Sequence, residues 1–535
     1  MVAACGGDSD GTSLPGTVRV LAAPPFSDRV LAVANELFAP YGITAELTSD
    51  VTSADLLLVP NPSSSNLGAS TFVTGYWVPV TGLSNPATGA SMEQLGAAVG
   101  GRLADWAFAG EVEAPPLHVV VPADPPPPLA YWWPEETSTA RAISIDAIRA
   151  EIEADPYTLA ILPLDAVDAR VRSLTVDGVD VVFGFSAGYP LTEIASIAVR
   201  EVENIEFGDL LGNVAIQMAD RLAAPEPAPV TMRATGDILP VRCAYERMLE
   251  LGDPVHAFRE LAPWLAEADI TVGSLDAAIS DAGEPFGCVE TFSLLAPEES
   301  LEGIALSGFD VITVATNHVK DCGQAACGDD AFFDTLANLR AAGVAPAGGG
   351  ADLAAARAPA VLTVDGVRFA FLGSDEIAPH YHAGAGVPGT APLNEANLRE
   401  DVAAAARQAD VVVVLPQWGV EYQAEPTLLQ QELAAAAVES GADLVIGNHP
   451  HWVEAAEPIG SAFVAYALGN YIFDQDWSLE TQQGVLLEAA FHGAQLKGVR
   501  FYPVHIWDEH QPAFADPVEA QQIMDRIWAA SAALQ

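Results

Sequence analysis

Short runs that are apolar at nearly every position recur through the second half of the chain, at 230–234, 270–272, 311–315, 369–372, 411–415, 444–446 and 463–467. Continuous Val/Ile/Leu runs of this length predict strands buried on both faces, whereas strands with one wet face alternate. The spacing predicts helices between them. Thr427 and Gln430 frame a capping box, with Gly441 as the stop, and the helix predicted at 330–342 ends at Gly343 in the same way. Strands and helices in alternation predict a layered α/β domain, its sheets covered by helices.

The first half alternates too. Strands are predicted at 18–22, 56–59, 118–121 and 159–162, and helices at 29–38 and 145–152. Residues 124–128 must be a loop, because four successive prolines remove four backbone donors. Trp132 and Trp133 fit a core better than a pocket lining. The Pro/Ala-rich stretch 223–229 reads as a linker. The expected organisation is a tether at 1–16, an α/β domain at 17–222, the linker at 223–229 and a second α/β domain at 230–535.

Lys and Arg number 22 against 72 Asp and Glu, a net charge of −50. That field disfavours nucleic acid and anionic lipid as partners and suits cations. No run reaches the roughly 18 apolar residues of a membrane span. Val2-Ala3-Ala4-Cys5 reads like the end of a bacterial lipoprotein signal, and 6–13 like a flexible tether. The expectation is a truncated start, lipid on Cys5 and a place on the extracellular face of the membrane; the alternative is an ordinary terminus. Four further cysteines permit two disulfides in three connectivities. Cys322–Cys327 with Cys243–Cys288 is the favoured set. Free thiols or a thiolate metal site are the alternatives, the latter weakened by the lack of a CxxC pair.

Polar groups follow the predicted strands one after another: Asp237; Asp276; Asn317, His318 and Asp321; Asp375 and Glu376; Gln417, Trp418 and Glu421; Asn448, His449 and His451; Asn470 and Asp474. Ligands of open α/β sheets collect beyond the carboxyl ends of strands. Asp, Asn and His are donors that Mn, Fe and Zn accept. Pro450 stiffens the backbone between two imidazoles, which lowers the entropic cost of fixing both. His118, His256, His380, His382, His492, His505 and His510 fit no cluster and read as structural or surface residues.

Six blocks of the second half resemble the poly-γ-glutamate capsule-synthesis (CapA) proteins. They are Gly236-Asp237 through Arg242, Ala268 through Asp276, Gly308 through Asn317-His318 to Gly323, Trp418-Gly419-Val420-Glu421-Tyr422, Gly447-Asn448-His449-Pro450-His451, and Tyr466 through Asn470 to Asp474, in the family's order. The resemblance implies kinship with calcineurin-like metallophosphoesterases. The expected fold is therefore α/β throughout: a four-layer metallophosphoesterase-like sandwich holding one or two divalent ions (Mn, Fe or Zn), preceded by a separate α/β domain. It also implies that Asp237, Asp276, Asn317, His449 and His451 are metal ligands, Asp276 as a bridging or second-strand carboxylate. His318 would stabilise charge or protonate a leaving oxygen, with Gln417, Glu421 and Asn470 as further site residues. Arg242 would either hold an anionic group by bidentate contacts or form an ordinary salt bridge.

Asp276 stands where the family commonly has Glu, Ser274 and Thr316 where it has Asn, and Leu239 where the His of an Asp-x-His pair is absent. Gln417 replaces the first His of a His-Trp-Gly-x-Glu-Tyr block, which weakens a second metal site. In the first half, 159–166, 171–178 and 189–191 resemble part of a phosphate-type periplasmic solute-binding domain. Two functions are thus expected. One is extracellular work in synthesis or export of poly-γ-glutamate or a related polymer through a metal-dependent hydrolase-type site. The other is a non-catalytic solute- or polymer-binding export factor with a degenerate metal site. Expected partners are an anionic surface polymer or its synthesis machinery, and the membrane through lipid alone.

Overall fold

The computed structural model describes residues 14–24, 26–62, 70–109, 114–184 and 186–534; Cys5 and the tether lie outside them. Val230–Ile238 is the centre of an eight-stranded sheet. Ile270–Leu275, Val311–Thr313 and Ala345–Ala347 extend it in parallel on one side; Gln483–His492, Gln495–Trp507 and Gln511–Phe514 extend it antiparallel on the other. A six-stranded sheet runs Ala360–Val364, Val367–Asp375, Val411–Gln417, Leu444–Ile446, Ala462–Ala465 and Ala456–Ile459. Its middle strands are parallel.

The continuous apolar runs explain the layering. Met232, Val272 and Val485 of the first sheet share a buried core with Phe371, Val413 and Leu444 of the second. The opposite face of the first sheet packs on Met248, Phe258 and Leu336, from helices Arg242–Leu251, His256–Arg259 and Asp330–Ala341. That of the second packs on Val402 and Leu433, from Glu395–Ala405 and Leu428–Glu439. This is a helix–sheet–sheet–helix sandwich, as the resemblance implies. Each fully buried aliphatic or Phe side chain contributes about 1.5–3 kcal/mol relative to exposure. The capping box forms: Thr427 accepts from the Gln430 amide, and the Gln430 side chain accepts from the Thr427 amide. Gly441 takes φ 110° past that helix. Both favoured disulfides are closed, Cys243–Cys288 and Cys322–Cys327.

One strand junction leaves no room for a side chain. A Cβ on Gly236 would fall on the Gly469 carbonyl, where the segment before Asn470–Ile472 crosses behind Asp237. Gly236→Ala is therefore expected to destabilise by about 3 kcal/mol, read as a lowered urea midpoint at unchanged slope. Glu454 is fully buried, with one carboxylate oxygen accepting from Gln430 Nε2 at 2.7 Å and the other unpartnered. Burial pushes its pKa to about 8 from the ordinary 4.5. The folded protein keeps a proton that the unfolded chain loses, so stability falls as pH rises from about 4.5 to about 8. Glu454→Gln removes that penalty. Its Tm should exceed wild type at pH 8.5, by on the order of 2–4 kcal/mol in stability, with the gap narrowing towards pH 5.

In the first half a nine-stranded sheet runs Thr44–Leu47, Thr17–Leu21, Leu56–Pro60, Thr192–Val199, Thr71–Thr81, Thr158–Pro163, His118–Pro122 and Arg141–Ile143, with Arg172–Ser173 on Thr71–Thr81. Helices Ser27–Phe38 and Ile205–Leu222 pack beside one core, and Trp77, Trp106 and Trp133 fill another. Trp133 is buried, as expected, its indole donating to the Met92 carbonyl; Trp132 is half-buried and donates to Thr192. No strand is shared between the halves among the described residues. They touch through the Gln483–His492/Gln495–Trp507 hairpin. His492 meets the Val182 carbonyl at 2.8 Å, Lys497 Nζ donates to Asp165, and Arg500 pairs with Asp180 at 2.6 Å while lying 3.9 Å over Phe183.

Candidate metal centre

Parallel strands in both sheets send their carboxyl ends to one edge of the sandwich. Asp237 is the next-to-last residue of its strand, level with Ser274 and Asn470. Asp276 follows Ile270–Leu275, and Gln417 closes Val411–Gln417 beside Asn448. Contacts then cross between the sheets. Gln417 Nε2 donates to Asn317 Oδ1 at 3.0 Å. The His449 amide donates to Asp237 Oδ2 at 3.3 Å, and His451 Nδ1 lies 3.6 Å from the same oxygen. Of nine non-glycine residues with positive φ among those described, Arg242, Tyr422, His449 and His451 surround this edge. Such backbone strain concentrates at functional sites.

The carboxylates and amides of this edge are short of donors. Asp237 Oδ1, both Asp276 oxygens, Gln417 Oε1, Asn448 Oδ1 and His449 Nδ1 are buried with no hydrogen-bond partner. An unmet buried acceptor costs about 1–3 kcal/mol, and a bound cation is one partner that satisfies several together. Oxygen and imidazole donors in this mixture fit Mn, Fe or Zn. Burial, then the neighbouring Asp276, push Asp237 well above the carboxylate range, and burial raises Asp276 to about 6. The site as it stands therefore favours a proton or a cation between them. Burial lowers His449 to about 3 and His451 to about 4, which keeps both imidazoles neutral and able to ligate. His451 Nδ1 faces Asn470 Oδ1 at 2.9 Å, so that nitrogen carries the hydrogen and Nε2 holds the lone pair.

His318 is oriented from behind. Its Nδ1 meets Asp321 Oδ2 at 2.7 Å, and Asp321 also accepts from the Leu294 amide at 2.8 Å and the Tyr381 hydroxyl at 3.0 Å. Burial lowers the imidazole's pKa, but Asp276, Asp321 and Glu421 outweigh it and the net shift is upward. His318 is thus poised as an acid through Nε2.

The remaining expected residues fall into different places. Asn470 orients rather than ligates: its Oδ1 takes His451, and its Nδ2 donates to Gln475 and the Thr481 carbonyl. Glu421 is exposed at the mouth, near enough to raise His318 and Tyr422. Arg242 forms the ordinary salt bridge and is not available as an anion clamp. Its Nε and Nη2 hold Asp474, and Nη1 donates to the Thr291 carbonyl at 2.8 Å. The donor set is also open. Among the described residues, the trio of His, Cys, Asp or Glu with donor atoms all within 4.8 Å of one another is Cys243, Cys288 and Glu509, whose sulfurs are joined as a disulfide.

Sequence pattern misses Tyr381 and His382. Tyr381 reaches Asp321 across 60 residues. His382 contacts the Asp375 carbonyl at 2.9 Å, and Asp375 adds to the field on Asp276. Neither lies at a predicted strand end. An open cleft of about 690 Å³ between Asp352, Arg357, Gly384 and Asp401 lies elsewhere, and Arg357 there is ion-paired to Asp401 and Glu400.

The structure is a double-sheet α/β sandwich with carboxylates and imidazoles gathered at its strand ends. Residues 231–475 match the bacterial capsule synthesis protein family PGA_cap. The chain is 29% identical over 270 residues to the "capsule biosynthesis protein CapA" of Bacillus anthracis, and 28% over 255 residues to the "PGA biosynthesis protein CapA" of Bacillus subtilis. These alignments cover 49% and 47% of the chain and only 64% and 65% of those relatives. Among solved structures, an ABC-type phosphate transport receptor from Vibrio cholerae aligns with 39% of the chain and all of its own length (15% identity, TM-score 0.28). NAD nucleotidase from Haemophilus influenzae aligns with 56% of the chain and 63% of its own (12% identity, TM-score 0.33). Among the described residues no helix is long and apolar enough to cross a membrane.

Proposed function

We propose that the second half is a divalent-metal centre of hydrolase type, acting in the synthesis or export of poly-γ-glutamate or a related capsule polymer outside the cell, with Cys5 as a lipid anchor. The observation that carries the chemistry is the set of buried, unpartnered acceptors on Asp237, Asp276, Gln417, Asn448 and His449. The polymer enters from the names of the PGA_cap family and its relatives. Asp237, Asp276, His449 and His451 would hold the ion, with Asn317 beside them. A divalent ion in such a place supplies a Lewis acid and lowers the pKa of water. The chain's own residues do the rest. Asn470 fixes the His451 tautomer, Asp321 fixes that of His318, and His318 Nε2 faces the reacting group with a proton to give.

The test is hydrolysis of an activated phosphodiester by protein loaded in turn with Mn, Fe and Zn. Absence of turnover with every metal would favour the export-factor reading. That reading draws on one contact: the Gln417 amide donates to Asn317 where an imidazole would ligate. Because Gln417 points into the site, Gln417→His is expected to raise metal occupancy or hydrolysis; unchanged values in both defeat its role there.

A further inference from the structure

Trp477 stands beyond the strand Asn470–Ile472 with 59% of its surface exposed. Its ring meets that of Tyr422 at 6.0 Å and 81°. Tyr422, itself part-exposed, stacks at 6.1 Å on His451. An aromatic corner therefore opens to solvent one ring away from an imidazole of the metal centre.

The corner is held in place at a cost. Tyr422 sits at φ 64°, a conformation that disfavours a bulky residue. Its amide donates to the Pro450 carbonyl at 2.8 Å, and Gln475 Nε2 donates to its hydroxyl at 3.4 Å. Those contacts fix the ring while leaving Trp477 wet, although a large exposed ring gains nothing from water.

The charge around it is mostly negative, and the two arginines in reach are paired, Arg242 with Asp474 and Arg247 with Asp508. Glu421 adjoins Tyr422 and, after burial, is the largest contributor raising its phenol to about 12. Asp476 adjoins Trp477 and lies, with Asp474 and Asp508, in the field that Glu509 feels. Arg242, the cation whose field reaches Tyr422, is ion-paired to Asp474. Perpendicular aromatic walls in a negative field attract a soft cation and repel an anion. A sugar ring instead favours a flat platform under its C–H face.

We infer that the Tyr422–Trp477 corner binds an alkylammonium group, a primary amine or a quaternary ammonium, on the molecule presented to the metal centre. Only the chemistry after capture rests on the proposed metal centre; binding itself needs no metal. The test titrates the full chain with choline and with 3,3-dimethylbutan-1-ol, its neutral isostere, following indole emission and binding heat. Choline should bind, and the isostere should bind about tenfold more weakly. Trp477→Ala should abolish the emission change, and Trp477→Phe should retain part of the affinity. Trp477 is exposed, so neither variant is expected to lose the fold, which circular dichroism checks. Equal binding of the isostere, unchanged choline affinity in Trp477→Ala, or binding of maltotriose in place of choline overturns the inference. Choline bound equally before and after chelation, in protein found to hold no metal, would sink the metal centre and leave the corner standing.

Discussion

The unaltered chain is expected to leave purification with Mn, Fe or Zn bound, and protein carrying Asp237→Ala together with His449→Ala without it. Asp237 offers an unpartnered Oδ1 and, through Oδ2, receives the His449 amide. His449 offers an unpartnered Nδ1 held neutral by burial. Losing both removes a charge and an imidazole from opposite sheets, leaving Asp276 and His451 too far from a closed shell to hold an ion alone. Elemental analysis reads the outcome directly. Metal in equal amount in both proteins would end the assignment. The variant also sheds two buried polar groups, so it should fold at least as stably as metal-free wild type, which separates lost ligation from lost structure.

The second large effect is at His318. If its Nε2 protonates a leaving oxygen, His318→Ala should slow hydrolysis of an alkyl phosphodiester on the order of 10²–10³-fold. A p-nitrophenyl ester, whose leaving group needs no proton, should slow far less. If the imidazolium acts instead by its charge, both esters slow alike. Metal content should not change, because His318 is held by Asp321 through Nδ1 and is not one of the proposed ligands. Equal rates for wild type and variant on both esters would remove His318 from the chemistry.

The sandwich was legible wherever strands are buried on both sides. The predicted run 444–446 coincides with the strand Leu444–Ile446, and 411–415 needs only two more residues to reach Gln417. Strands with mixed environments left no such trace. Thr71–Thr81 is interrupted by Gly75 and Pro79, and Gln495–Trp507 carries Lys497, Gly498 and Arg500 and turns from a buried block at 496–499 to a half-buried one at 500–503. The polar groups at the strand ends were readable because they follow directly on the apolar runs that form the strands. Tyr381 and His382 were not, because their partners, Asp321 and Asp375, are brought to them by tertiary packing alone. Arg242 shows the converse. Its type allowed an anion clamp or an ordinary salt bridge, and Asp474, 232 residues away, decides for the salt bridge.

The hairpin Gln483–His492/Gln495–Trp507 has a mechanical consequence. One of its strands lies edge to edge with Val230–Ile238, the strand bearing Asp237, while the other grips the front half through Lys497 and Arg500. A displacement of that front half would bear as shear on the rungs at Val230–Ala234, which end three residues before Asp237. A tensile load on the first half would thereby be carried by the strand that bears Asp237.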